Sequence, residues 1–120
     1  MAEYKLGEVE MHFANLIWDN EPISSGELVK LCEKELDWKK STTYTILRRV
    51  CDRGLFQNEK GKVTSLVGRE EFRSMQSKRL VDEVFSGSLP KFLAAFTSRN
   101  KLSEEEIVEL QEIIERNRER

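Results

Sequence analysis

The sequence predicts a mainly α chain with one small β-hairpin, and three observations predict it. Apolar residues recur at helical spacing in six separate segments, two helix starts carry capping boxes, and a glycine-centred turn separates two short β-prone runs. At 120 residues, with 38% hydrophobic and 35% charged side chains, the chain fits one small domain, or one domain plus an appendage.

The first helix spans about Gly7 to Trp18, because Val9, Phe13, Leu16 and Ile17 recur on one side; Asp19-Asn20-Glu21-Pro22 ends it. In Ile23-Ser24-Ser25-Gly26-Glu27-Leu28, Ser24 and Glu27 form a capping box, and Ile23 and Leu28 occupy the positions of a hydrophobic staple. A second helix therefore starts there and runs to about Leu36 on Leu28, Leu31, Cys32 and Leu36. After the short connection Asp37-Trp38-Lys39-Lys40, a third helix covers about Ser41 to Arg53. At 100° per residue, Thr43, Ile46, Leu47 and Val50 share one side. Ser41, Thr45, Arg48 and Asp52 point the other way, with Tyr44 and Arg49 on the flanks. Gly54 supplies a left-handed residue just past the end, and Leu55 is placed to meet Val50 as in a Schellman cap.

Leu55 to Asn58 and Val63 to Val67 read as two strands joined by the turn Glu59-Lys60-Gly61-Lys62. Two helices closing on a third, followed by a basic-tipped hairpin, is the order of a winged helix-turn-helix. Gly68 then opens a long helix to about Phe85 whose apolar stripe changes face midway, from Phe72 and Met75 to Leu80, Val81, Val84 and Phe85. Ser86-Gly87-Ser88 breaks it, and Leu89, Phe92, Leu93 and Phe96 form a stripe on a short helix. Leu102-Ser103-Glu104-Glu105-Glu106-Ile107 repeats the staple and box, launching a last helix on Ile107, Leu110, Ile113 and Ile114.

A wing domain of this size cannot bury all three of these stripes, so a homodimer is expected, built on Leu80, Val84, Phe85, Leu89, Phe92, Leu93, Phe96, Ile107, Leu110 and Ile114. The expected organisation is a winged-helix DNA-binding domain over residues 1–68 and a C-terminal helical dimerisation region over 69–120.

Charge adds a functional direction. Residues 39–69 hold eight basic side chains against Asp52 and Glu59, a net +6 inside a chain of net charge −2, which leaves −8 elsewhere. Such segregation is expected where one face meets a polyanion. A helix of this motif enters the major groove with its N-terminal part toward base edges, which designates Ser41, Thr42, Tyr44 and Thr45, with Arg48 next along. Arg48 and Arg49 reach phosphates or a guanine, while Lys39, Lys40, Lys60 and Lys62 flank the helix as phosphate contacts. The other reading of the same module is a protein–protein interaction domain without DNA function.

Enzyme classes are thinly supported. GxSxG, HExxH, GxxxxGK[ST] and GxGxxG are absent, and a triad or metal site would have to use His12, the one histidine. No catalytic residue, metal or cofactor is expected. Cys32 and Cys51 lack CxxC spacing and read as reduced thiols; a redox switch at Cys51 would need a low-pKa thiol. No run of 18 apolar residues exists, and Met1-Ala2-Glu3-Tyr4-Lys5 lacks the pattern of a secretion signal, so a cytoplasmic location without membrane insertion is expected.

Leu6-Gly7-Glu8-Val9-Glu10 leading to Leu16-Ile17-Trp18, Trp38 through Val50, Arg53-Gly54-Leu55, Ser86-Gly87 and the Leu102 to Ile107 launch together resemble the penicillinase repressor (BlaI/MecI) family, over about residues 5 to 117. The resemblance implies a dimeric repressor on operators with dyad symmetry, each winged helix taking one half-site, and repression itself comes from the resemblance alone. It also implies release by proteolysis, triggered through a membrane-bound sensor protease in antibiotic-responsive members. The family's scissile Asn-Phe bond falls at Ala95-Phe96, where the Phe is kept and Ala95 replaces the Asn. A plainer reading of these residues is packing at the dimer seam. Copper-responsive relatives carry a C-terminal Cys cluster, which Arg116-Asn117-Arg118-Glu119-Arg120 lacks, so metal sensing by that route is not expected.

Overall fold

The computed structural model describes residues 6–118; Met1 to Lys5 and the last two residues, on which the readings of the chain's start and end partly fall, lie outside the described residues. The elements in chain order are α1 (Glu8–Asn20), β1 (Ile23–Ser24), α2 (Ser25–Leu36), α3 (Lys40–Asp52), β2 (Phe56–Glu59), β3 (Lys62–Ser65), α4 (Arg69–Phe85), α5 (Leu89–Thr97) and α6 (Glu104–Arg116). The described residues fall into two compact units that divide between Ser77 and Lys78. The division lies within α4 rather than at 68/69, because Phe72 is buried in the first unit's core and Met75 packs against that core.

The first unit is a winged helix. Its hairpin gains a third strand that the sequence did not announce: β1 pairs antiparallel with β3, Ile23 opposite Val63 and Ser24 opposite Lys62, giving the order β1-β3-β2. Ser24 still caps α2, its Oγ accepting from Glu27 N–H at 3.1 Å. The Glu27 carboxylate returns to the Ser24 hydroxyl, at 3.2 Å, instead of to its main chain, so the box forms in altered form.

The core gathers Phe13, Ala14, Ile17 and Trp18 from α1, Leu28 and Cys32 from α2, Leu47 and Val50 from α3, and Phe56 and Val63 from the sheet. Val9, expected on the buried stripe, is 58% exposed; the buried face of α1 is centred between Phe13 and Trp18, and Val9 is rotated off it. Trp18 stacks near Phe56 and Phe72 and donates its indole N–H to the Val67 carbonyl at 3.0 Å. The Glu21 carboxylate accepts from Ser65 N–H at 2.8 Å and from its hydroxyl, fixing the end of α1 to the end of β3. Helix α3 closes as a Schellman motif: Gly54 N–H donates to Cys51 O at 3.0 Å and Leu55 N–H to Val50 O at 3.2 Å, with Gly54 at φ 84°.

In the second unit, Ser86 and Gly87 both take positive φ and end α4, and Ser88 caps α5 by accepting from Lys91 N–H at 3.2 Å. Ser103 and Glu106 form the full capping box at the start of α6. Phe85 meets Phe92 edge-on with ring centroids 5.4 Å apart, and Phe92 lies 6.3 Å from Phe96. No described residue from Lys78 onward is buried.

Candidate nucleic-acid interface

Helix α3 presents two contrasting faces. Thr43, Leu47 and Val50 are buried, whereas Ser41, Thr42, Tyr44, Thr45, Arg48 and Arg49 are exposed, as are Lys39 and Lys40 at its start. No side chain caps the α3 N-terminus, so its first amides lack a side-chain acceptor. Lys60 and Lys62, also exposed, flank Gly61 at the hairpin tip. Lys60 and Gly61 sit at φ 53° and 86°, the left-handed pair that a two-residue type I′ turn requires. Asn58 steadies this turn by accepting from Gly61 N–H at 3.0 Å.

The eight basic residues of 39–69 divide by use. Arg53 pairs with Glu10 at 2.8 Å, and Arg69 pairs with Asp19, bonds Asn15 and covers the Trp18 ring, so both belong to the scaffold. Among the described residues no salt bridge holds Lys39, Lys40, Arg48, Lys60 or Lys62. Arg49 lies within the field of Glu10. Burial pushes the Glu10 carboxyl up, but the Gly7 N–H, the Arg53 guanidinium and the charge of Arg49 outweigh it and hold the group below its ordinary value.

The hydroxyls are not equivalent. Thr45 is exposed, and its Oγ1 donates back to Ser41 O at 2.9 Å, which uses its proton and leaves its acceptor capacity. Tyr44 is 37% exposed and its Oη donates to Ser25 Oγ at 3.2 Å. Ser25 N–H in turn donates to Gly61 O at 2.7 Å, so Tyr44 and the hairpin tip meet through Ser25. Sequence reasoning missed Ser25, since position 25 reads only as the residue after a cap.

The thiols are turned toward the core, Cys51 from α3 packing against it. Cys32 is buried, Cys51 is half-buried, and His12 is exposed on α1. Burial, with the Asp52 charge beside it, pushes the Cys51 thiol up, the opposite of what a redox switch needs.

The second unit carries exposed apolar side chains: Leu80, Val84 (62% exposed), Leu89 (63%), Phe96 (48%) and Ile114, joined by Val108 and Ile113. Phe85, Phe92, Leu93, Ile107 and Leu110 are half-buried. Phe92, Phe96, Leu102 and Leu110 line an open groove of about 290 Å³. The Ala95-Phe96 bond lies inside α5, with the Ala95 carbonyl accepting from Ser98 Oγ at 2.8 Å and that of Phe96 from Asn100 Nδ2 at 3.0 Å. Among the described residues no helix is long and apolar enough to cross a membrane.

A family model described as penicillinase repressor matches residues 6–116. The methicillin resistance regulatory protein MecI of Staphylococcus aureus strain Mu50 is 25% identical over 115 residues, covering 92% of this chain and 94% of the relative. The penicillinase repressor of Bacillus licheniformis is 26% identical over 120 residues, covering 97% and 94%. That of Staphylococcus aureus is 19% identical over 116 residues, covering 93% and 92%.

Proposed function

The chain belongs to the penicillinase repressor family of transcriptional repressors, and from that premise we propose that it binds dyad-symmetric operator DNA, sequence-specifically, as a homodimer. One observation carries the reading: the exposed side of α3 joins hydroxyls to cations that no salt bridge among the described residues neutralises, with further lysines of the same kind at the hairpin tip. Ser41, Thr42, Tyr44 and Thr45 are the base readers. Arg48 and Arg49 reach phosphate or guanine, and Lys39, Lys40, Lys60 and Lys62 hold phosphates. The alternative, a protein–protein module, has no counterpart to this uncommitted positive charge.

Dimerisation through Leu80, Val84, Phe85, Leu89, Phe92, Leu93, Phe96, Ile107, Leu110 and Ile114 is supported by a unit in which no described residue is buried. Such a unit needs a second surface to shield its stripes from water. Linking two half-site contacts then turns two weak events into one specific one. Ala95 and Phe96 act as packing residues in this reading. Their bond is helical, with both carbonyls bonded, so cleavage by a sensor protease would require α5 to unwind first.

The test is a gel-shift titration of the full chain against the DNA upstream of its own gene, with random duplex as competitor. Operator binding predicts a competitor-resistant shift at dimer stoichiometry. Equal competition by random duplex would refute sequence specificity at that site.

A further inference from the structure

We propose that Ser25 is a positioning residue for base reading: it holds Tyr44 and the hairpin tip in one arrangement, so that the phenol meets DNA from a fixed position. The inference rests on the DNA-binding reading above. Ser25 begins α2, an element that supplies none of the ten residues assigned to DNA. Its main chain binds the hairpin turn, through Gly61 O at 2.7 Å, and its side chain binds α3, through Tyr44 Oη at 3.2 Å. The Ser25 hydroxyl sits close over the turn, since a Cβ built on Gly61 would lie 3.8 Å from its oxygen.

Two consequences follow from this geometry. Tyr44 is partly exposed, and a side chain already tied down loses less rotational freedom when DNA arrives. Its phenol oxygen already makes one hydrogen bond, to Ser25, and so meets a base edge from one place and direction. Ser25 thereby sets a preference at a base it does not touch.

The experiment selects duplexes from a random-sequence pool with the full chain as wild type, Ser25→Ala, Ser25→Thr and Tyr44→Phe. Wild type and Ser25→Thr should share a motif containing, in each half-site, one specified base pair that becomes unrestricted with Ser25→Ala or Tyr44→Phe. Ser25→Ala should bind the wild-type duplex about threefold to tenfold more weakly, the scale of one hydrogen bond, and random duplex unchanged. In the Tyr44→Phe background, Ser25→Ala should add nothing. An unchanged motif, equal losses on both duplexes, or additive effects would overturn the proposal. If the wild type enriches no motif at all, the DNA-binding reading itself fails.

Discussion

Arg53 at the end of α3 and Glu10 in the first turn of α1 form a 2.8 Å ion pair across 43 residues of sequence. It joins α3 to α1, and it makes the fold's stability depend on acid. Because the folded-state pKa of Glu10 is lowered, its contribution is full above the unfolded value and disappears as pH falls through the folded one. Glu10→Gln should cost about 0.5–1 kcal/mol near neutrality, and the gap to wild type should close as pH falls below the ordinary glutamate value and through the lowered folded one. Urea titrations at several pH values check this; a constant gap would contradict the assignment.

Trp18 is the hinge of the first unit's core, touching Phe56 and Phe72 and bonding the Val67 carbonyl. Trp18→Phe keeps much of the apolar surface but leaves that buried acceptor without its donor. A loss of about 1–3 kcal/mol is expected. Melting followed by circular dichroism should show a fall of at least about 4 °C, and an unchanged midpoint would mean that the bond contributes nothing net.

Base readers and phosphate contacts should separate by substitution. Tyr44→Ala with Thr45→Ala should lower preference for operator over random duplex, whereas Lys60→Ala should weaken both alike and reduce the salt slope by about one. Parallel losses from both variants would count against the assignment of roles.

Leu110 lines the apolar groove of the second unit with Phe92 and Phe96. Leu110→Asp should weaken self-association at least about tenfold in sedimentation equilibrium, because a carboxylate would be desolvated at the interface. The first unit should keep its melting transition. A variant that remains as dimeric as wild type would place the interface elsewhere.

Local signals were legible in the sequence because they act over a few residues. The Ser24 cap, the Ser103 box and the Gly54 ending of α3 each need four to six neighbours and stand where spacing put them. Long-range pairings were not legible. Strand β1 is two residues long and exists because Val63 and Lys62, some forty positions away, offer it a partner. Arg53 and Arg69 counted toward the basic stretch, and nothing nearby revealed that Glu10 and Asp19 claim them. The Ser25 contacts with Tyr44 and Gly61 likewise depend on how α2, α3 and the hairpin close. Val9 shows the limit of periodicity, which marks a stripe but not how far around the helix the core reaches.

The most direct test of the central claim is the affinity of the full chain for duplex DNA at two salt concentrations. If the free cations of α3 and the hairpin tip hold phosphates, six or more contacts per dimer should weaken binding on the order of a thousandfold or more between 50 and 200 mM salt. An affinity that stays flat across that range would contradict DNA binding by this surface.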